Sequence, residues 1–216
     1  MPDPNLFRLR VEYRKSGRLA MLSHLEIARA LERAVRRANL PFAVSKGFSP
    51  HMKIAFGSAL PVGVGSTCEI FDLQMTRYVA PEKALAALQA ASVSDLMPYQ
   101  CRYIGPRDAA ASVAYPVARY QAELSFAPEG GLPVPDDVRV VRKKKEKTLK
   151  VADYLVGHLA TEGATVAFEL EAKPTGSLRP DVLLTACIDA FNATCCEGRE
   201  PLRIVSITRT AQRATR

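Results

Sequence analysis

Hydrophobic and polar positions alternate strictly from Phe7 to Tyr13, with Phe7, Leu9, Val11 and Tyr13 separated by Arg8, Arg10 and Glu12. A period of two predicts a half-buried strand with its basic residues on the outward face. After the turn at Lys15–Arg18 the spacing changes. Ile27, Ala28, Leu31, Ala34, Val35 and Ala38 share one side at about 100° per residue, which predicts a helix from His24 to Asn39. Ser23 with Glu26 three residues on forms a capping box at its start, and Pro41 lies just past its end. Pro41 to Ser66 is broken by Gly47, Pro50, Gly57, Pro61, Gly63 and Gly65, so it predicts one or two short strands (FAV, KIAF) and loops that approach a ligand or another backbone closely. A strand over Cys68–Met75, a small-residue helix over Ala80–Ser92 with Pro81 in its first turn, and a strand in MPYQCRYIG complete the series.

A second series follows GPRDAAASVAYP, which reads as a linker. ARYQAELSF alternates like a strand and RVVRKKKEKTLKV resembles a hairpin with a charged tip. ADYLVGHLA reads as a short helix or strand, TVAFELEA as a strand, RPDVLLTACIDAF as a helix and PLRIVSITR as a terminal strand. The expected fold class is α+β: two ferredoxin-like (βαββαβ-type) lobes, with antiparallel sheets and helices packed on one face. The expected divisions are residues 1–105, a linker over 106–117, and 118–216.

With 216 residues, 48% of them apolar, the chain can bury a core in one large domain or two small ones. No apolar run approaches the roughly 18–20 residues of a membrane span, and MPDPNLFRLR lacks the layout of a signal peptide, so a cytoplasmic protein is expected. Its five cysteines, Cys68, Cys101, Cys187, Cys195 and Cys196, include no C-x2-C pair. Buried reduced thiols are expected, with no metal and no cofactor.

Thirty Lys+Arg against 22 Asp+Glu leave a net charge of +8, and what matters is that the positive charge is clustered. Arg29, Arg33, Arg36 and Arg37 lie opposite the apolar side of the first helix, where guanidinium forks can follow a phosphate backbone. The plainer alternative is a solvated face with pairs Glu26–Arg29, Arg29–Glu32 and Glu32–Arg36. In the next loop, Ser45, Lys46, Gly47, Phe48, Ser49, His51 and Lys53 combine flexible backbone, hydroxyls and cations suited to phosphate, and Phe48 can stack on an unpaired base. The alternative makes Phe48 a core anchor and the glycines turn formers. Lys143, Lys144 and Lys145 occupy the charged hairpin tip, and Ser177 and Arg179 precede a helix whose N-terminus can meet a phosphate.

His24 falls on the apolar side of its helix, which suits a core or cap residue. His51 sits in the glycine-rich loop and His158 reads as structural. As a general base toward a ribose 2′-hydroxyl, His51 with Lys53, or His24 with Ser23, would make a metal-free endoribonuclease. No G-x-S-x-G, H-E-x-x-H, Walker A or dinucleotide-binding pattern is present.

KSGRLAMLSHLEIARALERAVRRANLP and SKGFSPHMKIAFGSALPVGVGS, with the later GSLRPDVLL and the closing ITR, resemble the radical SAM-linked protein family, a bacterial domain of unknown function. Members occur as the C-terminal part of radical SAM proteins or as separate chains, so the resemblance implies a radical SAM protein as a partner. This chain has no C-x3-C-x2-C, which places any iron–sulfur cluster on that second polypeptide. The expected function is therefore a non-catalytic RNA-binding or substrate-recruiting module working with a separate radical SAM enzyme in RNA or ribosome-related modification. The alternatives are the endoribonuclease and a protein-interaction adaptor whose arginine face meets an acidic surface.

Overall fold

A computed structural model describes residues 6–142, 145–195 and 200–215. They fall into two compact units, Met1–Tyr115 and Pro116–Arg216, in a mixed α+β fold with antiparallel strand pairing. The first unit runs β1 (Phe7–Lys15), α1 (His24–Arg37), β2 (Ile54–Phe56), β3 (Val64–Met75), α2 (Pro81–Ala91), β4 (Pro98–Ile104) and a single turn, α3 (Ala111–Ala114). Its strands lie in the order β4-β1-β3-β2. Leu9 pairs with Leu73 and with Tyr103, which brings the apolar positions of three strands onto one side.

That side is the core. Leu9, Val11, Tyr13, Phe71, Leu73 and Met75 bury against Ile27, Leu31 and Val35 of α1 and Ala84 and Leu88 of α2. The helix forms where the sequence marks it. The Ser23 hydroxyl accepts from the Glu26 N–H at 3.4 Å while the Glu26 carboxylate accepts from the Ser23 N–H at 2.8 Å and from its hydroxyl at 2.7 Å. At the other end Asn39 takes the left-handed φ of 54°, a conformation its short polar side chain tolerates, and Pro41 follows.

The opposite side of the sheet corrects an expectation. The basic residues of β1 were expected to face outward, yet Arg10 is 3% exposed. Its guanidinium grips Asp72 of β3, also 3% exposed, through Nε–Oδ1 at 2.7 Å and Nη2–Oδ2 at 2.9 Å. Arg8 adds a contact of 2.8 Å to the same carboxylate. Residues 105–115 then cover the cluster. The Ala109 carbonyl accepts from Arg10 at 2.7 Å and from Arg8 at 3.1 Å, the Ala111 N–H donates to Asp72 at 3.0 Å, and the Tyr115 ring lies 5.7 Å from the Arg10 guanidinium carbon. Bonding to Asp72 outweighs burial and raises the Arg10 pKa, so the cation persists. Residues 106–115, within the stretch expected to link two lobes, are thus part of the first unit.

The second unit contains β5 (Val117–Leu124), β6 (Asp137–Arg142), β7 (Lys145–Lys150), β8 (Leu155–Glu162), β9 (Thr165–Glu171), α4 (Pro180–Cys195) and β10 (Ile204–Arg213). Its sheet runs β10-β5-β9-β8, while β6 and β7 form a separate hairpin. Taken in chain order, the four sheet strands repeat the last-first-third-second arrangement of the first unit. The hairpin stands where the first unit has α1, and α4 packs against both β6 and β10. Tyr120 and Phe168 stack at 5.6 Å, and the buried Arg209 lies over the Tyr120 ring and bonds its hydroxyl at 3.2 Å.

Removing Asp72 leaves two cations beneath the 105–115 segment, one of them fully buried. Asp72→Ala is expected to cost about 3–5 kcal/mol in urea unfolding, and a loss under about 1 kcal/mol would rule out this cluster as the tie that holds the segment. Ser23→Ala is expected to lower the melting temperature by removing the cap. Ser23 bonding holds the Glu26 carboxyl below its ordinary value of 4.5. The cap's contribution is therefore complete above that value and is lost as pH falls through the lowered one. A parent and variant whose melting temperatures differ equally at pH values on both sides of that range would contradict this assignment.

Candidate nucleic-acid interface

Pro41 to Lys53 folds as a narrow two-legged arm. Phe42 bridges to Met75 and Val44 to Met52. The Ala43 N–H donates to the Gln74 carbonyl at 2.8 Å, the Gln74 N–H to the Lys53 carbonyl at 3.0 Å, and the Lys53 N–H to the Ala43 carbonyl at 2.8 Å. One residue of β3, Gln74, therefore ties both legs. Buried Ala43 and Met52 anchor the base. Nearer the tip, the Ser45 N–H donates to the His51 carbonyl at 2.8 Å and the Ser45 hydroxyl accepts from the His51 N–H at 3.0 Å.

Between those bonds lie Lys46, Gly47, Phe48, Ser49 and Pro50, all exposed. Gly47 has φ 140°, open space where a side chain would stand, and a backbone conformation that other residues rarely adopt. Phe48 is 112% exposed, more than in a reference peptide. The alternative in which it anchors the core is thereby overturned. The short arm holds the tip off the body, and a ring there buries nothing within the chain.

Arg29, Arg33, Arg36 and Arg37 are all exposed on α1. Among the described residues none of the pairs Glu26–Arg29, Arg29–Glu32 and Glu32–Arg36 closes to an ion pair. Glu26 is turned to Ser23 instead, with Arg29 acting on it only through its charge. Two of the arginines have structural tasks. Arg36 lies 5.2 Å over the Phe42 ring at the base of the arm, and Arg37 donates to the Ala91 carbonyl at the end of α2. The first of these contacts makes the arginine face continuous with the arm.

Ser177, Arg179 and the lysines of the hairpin lie apart from this constellation in the chain. Ser177 and Arg179 belong to the second unit, where Arg179 forks onto Asp181 with Nε–Oδ1 at 3.0 Å. Lys143 and Lys144 lie outside the described residues, as does the side chain of Lys145. Lys53 is half-buried at the arm's base and His51 is exposed near its tip. His24 packs edge-on against Phe56 with ring centroids 5.5 Å apart, in keeping with a helix-start residue on the apolar side. His158, expected to be structural, is exposed on β8.

The structure also assembles a group that the sequence pattern leaves dispersed. Tyr78 and Tyr103 stack at 4.9 Å with an interplanar angle of 27°, and Phe7 stands edge-on to both at 6.0 and 6.1 Å. The Tyr103 hydroxyl is fixed between the N–H and carbonyl of Val79, whereas Tyr78 is exposed. These rings line a cleft of about 770 Å³ together with Arg8, Gln74 and Asp108.

Burial raises the thiol pKa of Cys101 to about 12 and that of Cys187 to about 11. Among the described residues no three His, Cys, Asp or Glu side chains gather as metal ligands, and no helix is long and apolar enough to cross a membrane. No curated protein matches the chain. The sequence profile of a family described as an uncharacterized protein conserved in bacteria (DUF2344) matches residues 8–180, which takes in β1, α1, the arm and the cleft residues from Arg8 onward. With most of its length inside that match, the chain belongs to the DUF2344 family of uncharacterized bacterial proteins.

Proposed function

We propose that the chain is a non-catalytic RNA-binding or substrate-recruiting module that works with a separate radical SAM enzyme in RNA or ribosome-related modification. One observation carries the RNA reading: a fully exposed phenyl ring at the tip of a basic arm whose base touches an arginine-covered helix. An aromatic ring held in water at the end of a pinned loop contributes nothing to folding. It is suited to stacking on an unpaired base, while Lys46 meets phosphates with Arg29 and Arg33, which close no ion pair among the described residues. The partnership with a radical SAM protein is supported by the sequence resemblance, and the cytoplasm is the compartment that fits it.

The ferredoxin-like reading of both lobes belongs to the same proposal. The repeated last-first-third-second strand order supports it. In the second lobe a hairpin would replace the first helix of the βαββαβ pattern. Folds of this class present sheet, loop and helix surfaces to RNA in several families, so the fold permits the function without implying it.

A second reading, the protein-interaction adaptor, has its own observation. Met21, Leu25 and Val62 are exposed apolar side chains, and Met21 and Val62 are brought together by the Gly63 N–H bond to the Ala20 carbonyl. Co-purification with a radical SAM protein that survives nuclease treatment and is lost in Leu25→Asp would favour it.

Binding of single-stranded RNA measured against salt tests the leading reading. Affinity is expected to fall linearly on logarithmic axes. The Arg29→Ala, Arg33→Ala double variant is expected to reduce that slope by about 1 to 2, and Phe48→Ala to weaken binding about tenfold at fixed salt. Absence of binding at low ionic strength, or affinity indifferent to salt, refutes it. Cleavage of the RNA in chelator, abolished by His51→Ala, would replace it with the endoribonuclease.

A further inference from the structure

The cleft lined by Phe7, Arg8, Gln74, Tyr78, Tyr103 and Asp108 has the size of a small-molecule site, about 770 Å³. Its chemistry is selective. The stacked Tyr78–Tyr103 pair, braced edge-on by Phe7, is a flat aromatic wall with an exposed outer ring. Its charged groups are already engaged. Arg8 is committed to Asp72 and to the carbonyls of Asp108 and Ala109, and the Asp108 carboxylate accepts from the Gly105 N–H at 2.8 Å. What remains is the half-buried Gln74 carboxamide, which has no hydrogen-bond partner among the described residues although its own main chain is fully paired. With Arg8 engaged, a flat aromatic wall beside a free carboxamide suits a neutral heteroaromatic ring better than an anion.

We infer that this cleft is a nucleobase pocket that takes one unstacked base of the bound RNA, adenine above uracil. The base stacks on Tyr78, and the Gln74 carboxamide donates to a ring nitrogen while accepting from the exocyclic amine, a two-point match that adenine and cytosine supply and uracil does not. The inference rests on the RNA reading above and deepens it. Gln74 is also the residue whose main chain bonds to Ala43 and Lys53, so the pocket and the basic arm are built on one point of β3.

The test compares oligoadenylate, oligouridylate of equal length and free AMP as ligands for the parent chain and for Tyr78→Leu, Gln74→Leu and Phe48→Ala. Both cleft variants keep apolar bulk, and melting curves check that they fold. Oligoadenylate is expected to bind more tightly than oligouridylate. Tyr78→Leu is expected to weaken it about tenfold and Gln74→Leu to abolish the preference, both without change in the salt slope, because the pocket makes no phosphate contact. If both cleft variants bind like the parent while Phe48→Ala is weakened, the pocket is refuted and the RNA reading survives. If no RNA binds but AMP does, and Tyr78→Leu loses it, the base pocket stands with a free nucleotide as its ligand and the RNA reading falls. If neither binds, both are overturned.

Discussion

Two arginines from β1 share the carboxylate of Asp72 from β3 on the side of the first sheet opposite α1 and α2. Two buried charges within hydrogen-bonding distance stabilise a fold only when their remaining donors and acceptors are also met, because desolvation offsets most of the attraction. Here the carbonyls of Asp108 and Ala109 and the N–H of Ala111 complete the shell. The 105–115 segment is thus held by polar bonds more than by hydrophobic burial, and it forms one wall of the aromatic cleft through Asp108. Sheet, cover and cleft depend on that one carboxylate.

Much of the secondary structure was legible because it rests on local rules. The capping box of Ser23 and Glu26 and the apolar spacing of Ile27, Leu31 and Val35 mark α1 without tertiary help, and the helix ends within two residues of the expected position. The short strands around Pro41–Lys53 were harder to place, since their pairing runs through Gln74, well beyond them in the chain. Alternation in β1 separates the two sides of a strand correctly, but it carries no information on what covers each side. Arg10 therefore looked solvated when it is buried. The same limit applies to Phe48, for which the sequence left stacking platform and core anchor both open, and only the positions of the surrounding bonds decide.

The candidate site divides along similar lines. The arm and the arginine face are contiguous stretches of sequence, so their chemistry could be read from neighbours. The cleft is assembled from Phe7, Gln74, Tyr78 and Tyr103, which belong to three strands and a connection between elements. Register between β1, β3 and β4 brings them together, and register is set by long-range pairing that a single sequence does not display.

Finally, the two thiols with raised pKa values sit one in each unit, Cys101 on β4 and Cys187 on α4. Alkylating reagents attack the thiolate, which burial keeps scarce at neutral pH. The fully buried Cys187 should therefore react chiefly when its half of the chain opens, whereas the half-buried Cys101 is slowed by its raised pKa. Cys187 thus gives the second half an internal clock against which its opening can be timed.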